Sequence, residues 1–138
     1  MNIDSIKNGI VIDHIKPGKS MELYHFLQLE SLDCPVAIIK NVVSKKMGRK
    51  DIIKIDADID IDLDVLGYID PDSTVNIIKN GELVKKCHLE LPEKLENVIT
   101  CRNPRCITTV EQDITQIFKL TDREKRIYRC AYCEAKAK

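Results

Sequence analysis

A chain of 138 residues can form one ordinary domain or two small ones, and its core must be aliphatic, because aromatics are 4% and tryptophan is absent. The 22 basic and 22 acidic side chains cancel, which excludes a general electrostatic pull toward nucleic acid or anionic lipid. No stretch has the length and apolarity of a membrane span, and Asp4, Lys7 and Asp13 interrupt any secretory signal, so the sequence predicts a cytoplasmic protein.

The first predicted element is a β-branched strand over Gly9–Ile15, ended by Pro17-Gly18. Ser20 is placed to cap a helix carrying Leu23, Phe26, Leu27 and Glu30 at three-and-four spacing, which must stop before Pro35. Strands over residues 36–43 and 50–55 lie close enough in sequence to form a hairpin across the turn-like stretch 44–48. Residues 60–66 predict a short helix with an acidic first turn, closed by Gly67 and Pro71.

Strands over 74–79 and 82–87 flank Asn80-Gly81, which tolerates the positive φ angles of a tight hairpin. The order strand, helix, strand, strand, helix, strand, with one strand added, predicts an α+β ferredoxin-like (βαββαβ) domain: an antiparallel sheet with two helices on one face. Turn and charge signals over 92–97 place a boundary there, giving one domain over 1–92 and a small all-β zinc-binding domain over 93–138.

Four of the six cysteines fall in that second part, as Cys101-x4-Cys106, then 23 intervening residues, then Cys130-x2-Cys133. Tetrahedral zinc needs two such short-spaced pairs, since each turn offers two thiolates and the loop between brings the turns together. Four sulfur ligands leave no open coordination position, so such an ion holds structure and does no chemistry. A redox pair at Cys130-Ala131-Tyr132-Cys133 would need a βαβ context that is missing, and a disulfide framework would need an oxidising compartment. Cys34 and Cys87 stand alone and read as small buried residues or free thiols.

Other patterns carry less. Asp56, Asp58 and Asp60 imitate the opening of an EF-hand, but Ile61 and Gly67 stand where a glycine and a bidentate glutamate are required. Lys119, Arg123, Lys125, Arg126 and Arg129 leave open a zinc-ribbon nucleic-acid-binding protein, although Asp122 and Glu124 dilute the charge and only Phe118, Tyr128 and Tyr132 offer stacking rings. Asp13 and His14 end the first strand, and Lys50, Lys54 and Lys86 come from strands that can neighbour it. Together they supply several cations and a hydrogen-bonding carboxylate, the combination that holds a phosphorylated sugar. No Gly-rich phosphate loop and no nucleophile beside a base is present, so the pattern points to binding without turnover.

Over essentially its full length the chain resembles the regulatory chain of aspartate carbamoyltransferase. The resemblance rests on the G-I-V-I-D-H-I strand at 9–15, M-G-R-K-D-I-I-K-I at 47–55, Thr74-Val75-Asn76, Leu91-Pro92-Glu93 and the four spaced cysteines. It implies a non-catalytic subunit with an N-terminal effector domain for the nucleoside triphosphates CTP, UTP or ATP, and a C-terminal Zn2+ domain that docks on the catalytic chain. It also implies regulatory-chain homodimers, three of which tie two catalytic trimers into a dodecamer controlling pyrimidine biosynthesis, with no nucleic-acid or membrane partner.

By the same resemblance Asp13 would contact the ribose, His14 the phosphates, Lys54 the base and ribose, and Lys86 the triphosphate. Lys50 would lie beside the phosphates, available to a second nucleotide. Val11, Asn76, Ile78 and Leu83 would line the pocket, and Ile6 would offer backbone groups to the base. Gly81 at the hairpin tip and Arg105 in the first cysteine loop depart from the family pattern, where an aromatic residue and a polar amide can stand.

Overall fold

The computed structural model describes residues 6–111 and 113–137 and places the aliphatic segments in two separate cores, one in the unit Met1–Glu90 and one in Leu91–Lys138. The division falls after Glu90 rather than after residue 92, because Leu91 and Pro92 serve the second core. Leu91 is buried there, its carbonyl accepts from the Arg123 guanidinium, and the Pro92 carbonyl accepts from the Tyr128 hydroxyl.

In the first unit β1 (Gly9–Ile15), β2 (Val36–Ser44), β3 (Gly48–Ile55), β4 (Thr74–Lys79) and β5 (Glu82–His88) form one antiparallel sheet in the order β2-β3-β1-β4-β5. Helix α1 (Ser20–Phe26) connects β1 to β2 and α2 (Leu63–Ile69) connects β3 to β4, the split βαβ arrangement with β5 added at an edge. Period-two alternation sends Ile10, Ile12, Ile53, Ile55 and Val75 to one face, where they are buried together with Leu23, Leu66 and Ile69. The opposite face carries Val11, Asp13, Lys50, Lys54, Asn76 and Ile78, all half-buried.

Both helices differ in detail from the sequence pattern. Lys19 occupies the N-cap of α1 without a side-chain bond, and Ser20 is already helical, its hydroxyl committed to Asp51 at 2.7 Å. Gln28 takes a left-handed conformation (φ 55°) that breaks the run, so Glu30 falls in a separate 3-10 turn, Leu29–Ser31. Helix α2 begins at Leu63 instead of residue 60, because Asp62 is the acid whose carboxylate accepts the N–H groups of Asp64 and Val65. Gly67 does not end that helix; it is buried within it, and the helix closes at Asp70 before Pro71.

The second unit is a three-stranded antiparallel sheet of β6 (Lys94–Glu96), β7 (Ile117–Asp122) and β8 (Ile127–Cys130), with a four-residue helical turn, α3 (Ile107–Val110). Leu95 faces Phe118 across the first ladder, and both are buried with Leu91 and Tyr128. The other face carries a run of like charge in register: Lys94 opposite Lys119, Lys119 opposite Arg129, and Arg129 bridged to Lys136. Glu96 pairs with Lys94 at 2.6 Å.

Candidate functional site

The cysteine cluster is assembled by two turns. Cys106 occupies the N-cap of α3, its N–H donating to the Asn103 carbonyl at 3.0 Å, and Cys130 ends β8 just before the turn that carries Cys133. Cys101 Sγ and Cys133 Sγ are 3.6 Å apart, Cys106 Sγ and Cys130 Sγ 3.7 Å, and all four sulfurs lie within 4.8 Å of one another. A tetrahedron with metal–sulfur bonds of about 2.3 Å has edges of about 3.8 Å. These sulfurs therefore fit around one ion and are too far apart to be disulfides, and all are free thiols.

Surrounding groups favour thiolate in places. The Ala135 backbone N–H and the Asn103 side chain bring the Cys133 thiol down to about 6. The Thr108 hydroxyl, 3.1 Å from Cys106 Sγ, lowers that thiol, whereas burial pushes Cys101 up to about 12 and raises Cys130. So divided a cluster of sulfurs ionises completely only around a cation. Cys34 and Cys87 take no part; they are half-exposed free thiols in the first unit, not buried ones.

The half-buried sheet face of the first unit collects the other singled-out residues. Lys54 stands opposite Val11, Val11 opposite Asn76, and Asn76 opposite Lys86, so four strands contribute one continuous row. Ile78 and Leu83 face each other one step along. Leu83 and Lys86 would point to opposite faces of a regular strand, but the β4–β5 ladder shifts register between Ile77 and Ile78, and the extra residue brings both to this face.

A second irregularity acts on adjacent residues. The β1–β3 ladder shifts between Ile12 and Ile15, with His14 in the left-handed region (φ 57°). Asp13 faces Thr74 across the β1–β4 ladder, and His14 Nδ1 lies 3.1 Å from Thr74 Oγ1. The imidazole therefore shares the face of the Asp13 carboxylate, which a regular strand would forbid. Lys50 Nζ sits 2.9 Å from Asp13 Oδ1, and the His14 N–H donates to the same oxygen at 2.6 Å. Burial pushes the Asp13 carboxyl up, but these two bonds outweigh it and hold the group below its ordinary value.

Three ammonium groups, an imidazole and one carboxylate thus occupy one shallow sheet face. Asn76 Oδ1, at its centre, is buried and has no hydrogen-bond partner among the described residues, a costly state for a native amide unless another group donates to it. Ile6 is buried, and its N-terminal segment reaches the β4–β5 turn, where Lys7 O accepts from Gly81 N at 2.9 Å.

Family comparison covers both units. Residues 1–90 match the family described as aspartate carbamoyltransferase regulatory chain, allosteric domain, and 93–138 match the metal binding domain of the same chain. The aspartate carbamoyltransferase regulatory chain of Clostridium tetani is 52% identical over 135 residues, covering 97% of this chain and 94% of the relative.

The chain belongs to the aspartate carbamoyltransferase regulatory chain family.

The regulatory chains of Clostridium acetobutylicum (51% identical, 97% of this chain and 92% of the relative) and Bifidobacterium longum (46%, 100% and 99%) extend the likeness. Such relatives are named as regulatory and not as catalytic chains. In this regulatory chain two supporting residues take roles that their sequence positions did not show. Thr74, noted in sequence only within the family motif, holds His14, and Gln116 Oε1 accepts from Cys101 N at 3.1 Å. Each is an ordinary polar residue whose role depends on a partner elsewhere in the chain.

Proposed function

We propose that the half-buried sheet face of the first unit binds a nucleoside triphosphate such as CTP, UTP or ATP, and that the second unit holds one Zn2+ and docks on the catalytic chain. The observation that carries the nucleotide reading is the row Lys54, Val11, Asn76, Lys86, with the unpartnered Asn76 Oδ1 at its centre. A base supplies the missing donor, and a triphosphate supplies the negative charge that Lys50, Lys86 and His14 attract. Asp13 then hydrogen-bonds the ribose, while Val11, Ile78 and Leu83 cover the sugar and base.

Zinc is the ion that four cysteines at this spacing and separation favour, since thiolates select soft and borderline metals and the tetrahedron suits Zn2+. A closed four-sulfur set makes the ion structural. Ile107, Val110 and Tyr132 are exposed around the cage and offer apolar contact to a catalytic chain, with which the regulatory chain assembles as homodimers bridging two trimers. Effector binding regulates catalysis only through a difference in affinity between two states of that assembly, typically worth about 1–3 kcal/mol.

Calorimetric titration of the full chain with CTP, UTP and ATP tests the nucleotide site. The parent should bind, and Lys86→Ala should weaken binding at least tenfold while still co-purifying with aspartate carbamoyltransferase catalytic chains. Unchanged affinity in Lys86→Ala would remove that residue from the site.

A further inference from the structure

The M-G-R-K-D segment ends on an aspartate that the nucleotide reading does not use. Asp51 follows Lys50 in β3, shares the parity of Ile53 and Ile55, and is therefore on the core face, only 1% exposed. A buried carboxylate must be compensated, and this one is, by three donors from two separate parts of the chain. Oδ1 accepts the Asn41 N–H at 2.8 Å, and Oδ2 accepts the Ser20 hydroxyl at 2.7 Å and the Gly18 N–H at 3.1 Å. Burial raises its pKa, but these bonds outweigh burial and keep it below the ordinary range.

What these donors belong to matters more than their number. Asn41 is the left-handed residue (φ 61°) at the point where β2 slips against β3, between Ile39 opposite Ile52 and Val42 opposite Lys50. Gly18 lies in the turn after β1 and Ser20 opens α1; the slip of β1 runs from Ile12 opposite Ile53 to Ile15 opposite Asp51, with His14 left-handed within it. Both neighbours of β3 thus carry an extra residue against the same short stretch, and the Asp51 side chain bonds to the backbone of one bulge and to the turn that follows the other. The two bulges set where Lys50 and His14 emerge on the opposite face.

We infer that Asp51 is a positioning residue for the phosphate end of the effector site: one buried carboxylate fixes the paired bulges that aim Lys50 and His14. The inference rests on the nucleotide reading above. Asp51 does not touch the ligand, because its carboxylate lies on the other side of the sheet. Its effect should be confined to the groups at the bulges and spare the row Lys54, Val11, Asn76, Lys86, where the ladders are regular across β3, β1 and β4.

The test is Asp51→Asn in the zinc-loaded full chain, titrated with CTP and with cytidine and followed by amide and imidazole NMR shifts. The isosteric amide keeps one acceptor but puts an NH2 group against a backbone N–H. CTP affinity should fall about tenfold, cytidine affinity should change less than twofold, and the unliganded His14 ring and Asn41 amide signals should move. Equal weakening of both ligands, or no weakening of CTP, overturns the inference. Should Asp51→Asn fail to fold, Ser20→Ala removes a single donor, and the same selective loss of CTP binding, about threefold, is expected; an unchanged CTP affinity there overturns it. A parent chain that binds neither ligand refutes the nucleotide reading itself, a result separate from either variant's.

Discussion

Removing the ion from the cysteine cage should unfold the second unit and leave the first intact. Apart from cysteines, the large apolar side chains buried in the second unit are Leu91, Leu95, Phe118 and Tyr128. At roughly 1.5–3 kcal/mol each, they contribute on the order of 10 kcal/mol of gross burial. A structural zinc with cysteine ligands contributes about 10–16 kcal/mol, which equals or exceeds the roughly 5–15 kcal/mol net stability of a typical domain. Without the ion, four sulfurs within 4.8 Å replace the strongest contact in the unit with a cluster that cannot ionise together. The assay is titration of the reduced full chain with an organomercurial, a zinc-sensitive dye counting the metal released, and amide NMR read at each step. One zinc per chain should appear as the signals of β6, β7 and β8 collapse, while those of β1 to β5 stay dispersed. Retention of a native Phe118 and Tyr128 environment after complete release would refute the reasoning.

Two further perturbations address the first unit. A Cβ added at Gly9 would lie 2.2 Å from the Ile55 carbonyl oxygen and 2.7 Å from Ile6 Cγ2. Gly9→Ala should therefore destabilise by about 1–3 kcal/mol, the usual cost of overpacking. For a unit of this size that lowers the melting temperature by at least about 4 °C, and a melt within about 2 °C of the parent contradicts the prediction. The Asp13 carboxyl, held below its ordinary value, contributes stability that is present above the unfolded carboxylate pKa and lost as pH falls through the depressed folded value. Lys50→Met should thus cost about 1–2 kcal/mol near neutral pH, and the difference from the parent should shrink as pH falls through the depressed Asp13 value. Denaturation curves at several pH values measure it, and a pH-independent difference would point to lost packing instead.

Elements defined by short-range chemistry were legible in the sequence. Asn80-Gly81 forms the expected tight turn, with both residues at positive φ, and the paired cysteines converge as their spacing predicts. The start of α2 was not legible, since five aspartates at alternate positions from 56 to 64 all resemble a cap. Which one serves depends on the burial of Val65 and Leu66, a tertiary matter. The cation-bearing sheet face was legible as a set of residues but not as a surface. Asp13 beside His14, and Leu83 three residues before Lys86, violate the alternation of a regular strand, and only the register slips reconcile them. A slip is a relation between two strands and leaves no mark in either. The buried bonds of Asp51, which span up to 33 positions of sequence, were hidden for the same reason.

The file of cations on the outer face of the second unit, from Lys94 through Lys119 and Arg129 to Lys136, has a thermodynamic side effect. Strands about 4.8 Å apart bring like charges well inside the screening distance of about 8 Å at physiological ionic strength. Mutual repulsion along the file opposes the closed ladder, and dissolved electrolyte relieves it. Glu96 offsets the charge at the Lys94 end, so the repulsion that added salt relieves lies along Lys119, Arg129 and Lys136.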